Sequence, residues 1–393
     1  MIKKIEEITQ ILASETMPEI GLLSGIGGQI LACSELSLHN KTSQNWLSHL
    51  HNVLEEKLAG GDFIFSHCNG LAGIGWLYEH LSQRKIIDYD TNLFLEEFDS
   101  ALEQALNVFM LETGYDFLHA GAGVALYFTK RVAKKKELVS VLNQFLDDLE
   151  KTSIKQANGA VKWESPMKHA TNQRGFNIAL SHGMSGIVPL LSKMYNIEGI
   201  DKAKTETLLR GAVQYILAQE IDKDKYGSYF SNFALESAPV IAKSRMGWCY
   251  GDLGIATVLY QAGKALKEES WINKALEILL FAATQRRNLE DNAVKDAGLC
   301  HGAAGIGHIF YRMWWNTKLP EFKDAADYWF DQTMKMATFE DGLAGFKAYE
   351  VYEEKPRWTN QYDLIIGVSG IGLAMLSYYH ETEPTWDECL LLS

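Results

Sequence analysis

The chain has 393 residues, 47% of them hydrophobic and 22% charged, the balance of a soluble globular protein. A formal net charge of -13 argues against general binding to nucleic acid or to an anionic membrane. Five cysteines, an odd number in so long a chain, make no disulfide scaffold and fit a reducing, cytoplasmic setting.

The first residues, Met1 to Ile8, pair Lys3 and Lys4 with Glu6 and Glu7, and lack the apolar core of a secretory leader. No apolar run approaches the roughly 20 residues of a membrane span. A short pattern then begins and recurs: Gly-x-x-Gly followed by an apolar residue. Its first copy, Gly21-Leu22-Leu23-Ser24-Gly25-Ile26, lacks the first glycine. The second is Cys68-Asn69-Gly70-Leu71-Ala72-Gly73-Ile74, followed by the apolar Gly75-Trp76-Leu77-Tyr78. An amphipathic stretch from Leu93 to Leu111 predicts a helix. The third copy, His119-Ala120-Gly121-Ala122-Gly123-Val124, is again incomplete, and Glu137 to Leu149 predicts another amphipathic helix. Gln156 to Arg174 is polar and irregular and reads as a long loop.

The remaining copies are Ser181-His182-Gly183-Met184-Ser185-Gly186-Ile187, Cys249-Tyr250-Gly251-Asp252-Leu253-Gly254-Ile255, Cys300-His301-Gly302-Ala303-Ala304-Gly305-Ile306 and Ile365-Ile366-Gly367-Val368-Ser369-Gly370-Ile371. Between the fifth and sixth lies a third amphipathic stretch, Ile272 to Thr284. The second glycines, Gly25, Gly73, Gly123, Gly186, Gly254, Gly305 and Gly370, are 48 to 68 residues apart, room for one helical hairpin each. An apolar inner helix starting at each motif and an amphipathic outer helix returning the chain predict an all-α fold. The last copy keeps the apolar flanks of the others instead of a polar cap, so a closed α/α toroid of seven hairpins is expected over an open solenoid. With no linker or low-complexity stretch, residues 1–393 read as one domain.

In a closed ring, equal register means equal height. The two residues before the first glycine are Ser181 and His182, Cys249 and Tyr250, and Cys300 and His301 in the fourth, fifth and sixth units. They are expected to meet at one end of the central channel. Two thiolates and an imidazole suit zinc, and three protein ligands leave a fourth position open, as in catalytic sites. His182 reads as a fourth ligand or as an acid/base group. Asp116 and Arg245 lie near in register, as a structural pair or as a support for a histidine or a substrate carbonyl. Cys33, Cys68 and Cys389 read as small buried hydrophobes, and His67 and His119 as histidines satisfied by backbone groups.

These motifs resemble those of the lanthionine synthetase C-like proteins. The resemblance rests on Trp248-Cys249-Tyr250-Gly251, Cys300-His301-Gly302, His182-Gly183-x-x-Gly186 and the sevenfold glycine repeat, and covers almost the whole chain. It implies a stand-alone cyclase that closes thioether rings by adding cysteine thiols to dehydroalanine or dehydrobutyrine in a dehydrated lanthipeptide precursor. It further implies one Zn2+ per chain on Cys249, Cys300 and His301, His182 as acid/base, and Asp116, Arg245 and Tyr250 as further active-site residues. A dehydratase and a transporter are expected partners; nucleic acid and a transmembrane segment are not. Two other readings use similar features: zinc-dependent thiol alkylation on a prenyltransferase-like barrel, and a scaffold that binds glutathione or adds it to dehydrated residues.

Overall fold

The computed structural model describes residues 1–39, 44–61, 63–88, 90–112, 114–165, 175–235 and 241–393. It has seven inner helices: Ile26–Ser37, Leu71–Gln83, Gly121–Arg131, Ile187–Met194, Asp252–Leu266, Ala303–Thr317 and Val368–His380. Before each runs an outer helix: Ile2–Ser14, Gln44–Leu58, Glu96–Glu112, Val139–Thr152, Lys202–Leu217, Glu269–Gln285 and Pro320–Lys335. The inner helices are buried nearly all round. Every residue from Leu71 to Leu81 is buried, as is every residue from Ala303 to Met313. The outer helices bury one face: in Val139–Thr152 it is Val141, Leu142, Phe145, Leu146 and Leu149, at helical spacing. The last inner helix packs on the first inner and first outer helices, which closes the ring. Among the described residues no helix is long and apolar enough to cross a membrane.

The predicted amphipathic stretches are all outer helices. The one expected from Leu93 starts at Glu96, where Glu96, Glu97 and Asp99 favour the positive end of the helix dipole. The tract read as a loop from Gln156 contains the strand Val161–Lys162, paired with Ile154–Lys155, and a buried Trp163 whose Nε1 donates to the Leu149 carbonyl (2.8 Å). Its residues 166–174 lie outside the described residues. Two further antiparallel ladders sit in the loops, Gly175–Asn177 with Phe233–Leu235 and Ala348–Tyr352 with Lys355–Thr359. They decorate the helical frame without altering it.

The glycine pattern has a steric cause. A Cβ on Gly73 would lie 2.1 Å from the His67 carbonyl and 2.7 Å from Leu22 Cβ, and one on Gly370 would lie 2.0 Å from the Leu364 carbonyl and 2.7 Å from Leu299. The second glycine thus faces a carbonyl six residues back in its own loop and a side chain of the preceding unit. This corrects the register of the first unit. Gly25 caps its inner helix as Gly70, Gly251, Gly302 and Gly367 cap theirs. Gly28 is the second glycine, facing the Leu22 carbonyl and Leu364 Cβ. Gly25-Ile26-Gly27-Gly28 is therefore the complete motif, masked in the sequence by its neighbouring glycines.

The motif loops are stitched to one another by backbone hydrogen bonds. Leu364 N donates to Leu23 O (3.1 Å), Leu23 N to Cys68 O (3.0 Å) and Cys68 N to Leu118 O (2.9 Å). Ser181 N donates to Cys249 O (3.2 Å), Trp248 N to Cys300 O (2.9 Å) and Cys300 N to Ile365 O (2.9 Å). Between the third and fourth loops no such bond occurs among the described residues. Asp116 and His182 bridge that junction instead (2.8 Å).

A segment that the repeat does not foretell fills the ring. Residues Thr385–Leu390 form a 3-10 turn, and Trp386, Asp387 and Cys389 to Leu392 are buried. Inner-helix side chains converge on it from several units. Lys130 and Lys193 reach Glu388 (2.5 and 3.2 Å), Gln261 donates to Leu391 O (2.9 Å), and Arg312 grips Asp387 through Nε and Nη2 (2.9 and 2.8 Å). His308 Nε2 lies 2.9 Å from the same carboxylate. Above the turn, His67 Nε2 contacts Cys389 O (2.9 Å) and Trp248 Nε1 donates to Leu390 O (2.7 Å). The segment is a plug beneath the motif loops.

Burial by itself would raise the Asp387 pKa, but the Arg312 guanidinium and then His308 outweigh it and hold the group at about 2. An unfolded aspartate titrates near 3.9. The folded pKa is the lower one, so the stabilisation is present above about pH 4 and is lost as pH falls through about 2. Asp387→Asn leaves the buried Arg312 with only the more exposed Glu383 carboxylate at 3.4 Å and is expected to cost about 3 kcal/mol in urea unfolding at neutral pH. A variant as stable as the wild type would show that the plug does not hold the ring.

Candidate metal centre

Cys249 and Cys300 each stand five residues before the second glycine of their units, and the belt sets them side by side. Trp248 N and Cys249 N both donate to Cys300 O (2.9 and 3.3 Å). His301 follows Cys300, and its Nδ1 lies 3.8 Å from Cys249 Sγ. The ligand atoms of Cys249, Cys300 and His301 all lie within 4.8 Å of one another, the only such donor group of this kind among the described residues.

The two thiols act on one another. The Cys300 S–H donates to Cys249, and this outweighs burial and, with His301 and Arg245, draws the Cys249 thiol well below its ordinary pKa. The same contact, a buried site and the neighbouring thiolate push Cys300 well above it. A cation removes this frustration by letting both sulfurs ionise. Two soft thiolates and an imidazole fit a zinc ion, and the three donors line a cavity of about 410 Å3 together with His182, Asn232, Arg245 and Tyr250. A larger cavity of about 480 Å3, lined by Lys193, Tyr260, Lys264, Arg312 and Glu383, carries no thiol or imidazole.

His182 sits one unit from Cys249, and Asp116 Oδ2 holds its Nδ1 at 2.8 Å. Asp116 is buried, and its other oxygen accepts the His119 N–H (2.8 Å). Asp363 stands seven residues before its second glycine, as Asp116 does, and caps the Ile365 and Ile366 N–H groups in the same way (2.8 Å each). The loop cap is thus a recurring device, and only in the third unit does it also reach a histidine. A carboxylate on Nδ1 fixes the tautomer and leaves Nε2 for the cavity. Asp116 therefore supports the histidine rather than pairing with Arg245.

Arg245 is half-buried in the cavity wall and makes no ion pair among the described residues. Its loop is held from behind: Arg286 Nη2 donates to Ser244 O (2.5 Å) and its Nη1 to Asp252 (2.9 Å). The loop folds so tightly that a Cβ on Gly251, at φ +105°, would lie 1.9 Å from the Arg245 carbonyl. Tyr250 is half-buried, its hydroxyl 3.5 Å from Asn177 Nδ2, and burial raises its pKa.

The other cysteines are buried, and burial pushes Cys33 and Cys68 up to about 12 and Cys389 well above its usual value. His67 is bound to a backbone carbonyl as expected, and burial lowers it to about 4. His119 departs from that expectation: its exposed ring stacks on His182, centroids 5.6 Å apart. Asn177 and Asn232 lie outside the glycine register, on and beside the Gly175–Asn177 ladder, so the repeat carried no signal for them.

The sequence profile of the family described as lanthionine synthetase C-like protein matches residues 60–391. The nisin biosynthesis protein NisC of Lactococcus lactis subsp. lactis is 23% identical over 328 residues, 76% of this chain and 75% of that one. The protein named glutathione S-transferase LANCL1 of Danio rerio is 25% identical over 200 residues, 50% of this chain and 45% of its own length. The solved structure of nisin cyclase superposes with a TM-score of 0.75 at 19% identity, covering 99% of this chain and 97% of that one, and shares its α/α-toroid fold. The profile spans most of the chain and includes every residue of the metal cluster: the chain belongs to the lanthionine synthetase C-like family.

Proposed function

We propose that this chain is a zinc-dependent lanthipeptide cyclase, adding cysteine thiols of a dehydrated precursor to dehydroalanine or dehydrobutyrine to form thioether rings, and that residues 1–393 work as one domain. One observation carries the reading: a cluster of two thiols and an imidazole opens on the same cavity as a histidine whose Nδ1 is held by a buried carboxylate. Cys249, Cys300 and His301 would hold one zinc ion, which when bound supplies a Lewis acid that keeps a substrate thiol ionised at neutral pH.

The remaining chemistry belongs to the chain. As the sulfur–carbon bond forms at the β-carbon, the π pair moves toward the α-carbon and its carbonyl oxygen. Arg245, the only lysine or arginine among the described residues lining the cavity, supplies positive charge for that oxygen. His182 gives a proton to the α-carbon from Nε2, and Asp116 stabilises the imidazolium and holds the ring. Tyr250 flanks His182, ring centroids 6.4 Å apart, and completes the polar wall. The thiol loses one proton and the α-carbon gains one, so ring closure needs no oxidant or co-substrate. A diphosphate would require more than one cation, which counts against the prenyl-transfer reading. All five cysteines are unpaired, which supports a cytoplasmic enzyme.

Elemental analysis should return one zinc per wild-type chain and almost none in Cys300→Ala; a folded, metal-free wild type would sink the reading. His182→Ala should keep its zinc and lose ring formation on a dehydrated peptide by roughly 10²–10⁴-fold. If zinc leaves with the histidine, His182 is a ligand and not the acid. Glutathione offered with a dehydrated peptide lacking cysteine should give no adduct at the ring-forming rate; an adduct formed as fast would favour the glutathione reading. Nitrogen-15 NMR of the neutral His182 ring should find the proton on Nδ1, with that preference lost in Asp116→Ala.

A further inference from the structure

Among the residues lining the site cavity, Asn232 alone has a buried side-chain polar atom without a partner, its Oδ1. The neighbouring backbone is firmly held. Ile178 N donates to Asn232 O (3.3 Å), Phe233 pairs with Asn177 in the adjoining ladder, and Ser231 Oγ accepts the Ala242 N–H (3.0 Å) and donates to Ala242 O (3.1 Å). The backbone that carries the carboxamide is therefore fixed on both sides. Leaving a buried acceptor unmatched costs about 1–3 kcal/mol. A fold keeps such a group in a ligand cavity when the ligand brings the donor.

The cavity wall offers this acceptor together with one cation, Arg245. A dehydroamino-acid residue in a peptide presents complementary groups, an N–H on one side of its α-carbon and a carbonyl on the other. We propose that Asn232 is a substrate-positioning residue whose Oδ1 accepts the backbone N–H of the dehydroalanine or dehydrobutyrine, while Arg245 takes the carbonyl oxygen on the far side. The two contacts bracket the α-carbon that His182 protonates and fix which face of the double bond meets the sulfur. This rests on the cyclase reading and deepens it. The N–H carries little new charge as the bond forms, so its hydrogen bond is equally strong in ground and transition states. Its loss therefore appears in KM and leaves kcat nearly unchanged.

The test crosses an enzyme change with a substrate change. Wild type and Asn232→Ala are each assayed on a dehydrated peptide and on the same peptide N-methylated at the dehydroalanine, with zinc content confirming an intact site in both proteins. Asn232→Ala should raise KM roughly tenfold on the first peptide. N-methylation should cost the wild type a similar factor and the variant almost nothing, because the two changes remove one contact. Equal penalties for N-methylation in both proteins would overturn the assignment. So would a variant that loses zinc and kcat together, which marks Asn232 as part of the scaffold. A wild type that holds zinc yet closes no ring on either peptide would remove the cyclase reading itself, and this inference with it.

Discussion

The belt of backbone hydrogen bonds joining the seven motif loops is the constraint on which the rest of this structure depends. Each bond runs between main-chain groups, so it is indifferent to the side chains it carries and holds every loop at one height. The bonds form only because the second glycine of each unit lets a carbonyl and a neighbouring side chain approach where a Cβ would stand. Once the loops share a height, a side chain at a given place in the motif faces the same space in every unit. Cys249 and Cys300 are adjacent for this reason, although 50 residues intervene.

The one junction among the described residues without a backbone bond is bridged by Asp116 and His182. The proposed acid/base pair thus takes a place in the belt and contributes to the frame. Such a pair cannot swing freely, which suits a group that delivers a proton to one face of a planar carbon. The motif's own cap supplies Asp116, so the proposed support of His182 uses a device that Asp363 employs purely for turn formation.

The plug beneath the loops sets the surroundings of the metal cluster. Trp248, adjacent to Cys249, is anchored to Leu390 O, and His67, in the second loop, to Cys389 O. The C-terminal turn thus packs directly against the loop that carries Cys249, and Cys249 lines the cavity from that loop. Low solvent access strengthens the pull of two sulfurs and an imidazole on a cation.

Much of this was written in the sequence because the repeat is local and periodic. The glycine pattern gave the seven hairpins, their inner and outer faces, and the shared height of Cys249, Cys300, His301 and His182. Where glycines crowd together, at Gly25, Gly27 and Gly28, the pattern was ambiguous by one turn, and only the steric contacts resolved it. Closeness in register singled out Asp116 and Arg245, the family resemblance implied a place in the active site for both, and the structure separated their surroundings: Asp116 is locked to His182, and Arg245 stands in the cavity wall without an ion pair among the described residues. The plug, the stacking of His119 on His182 and the unused oxygen of Asn232 were decided by tertiary structure alone. Each depends on how distant segments come together at places the repeat does not share. Periodicity in a sequence records what every unit must do, and leaves no trace of what one unit does once.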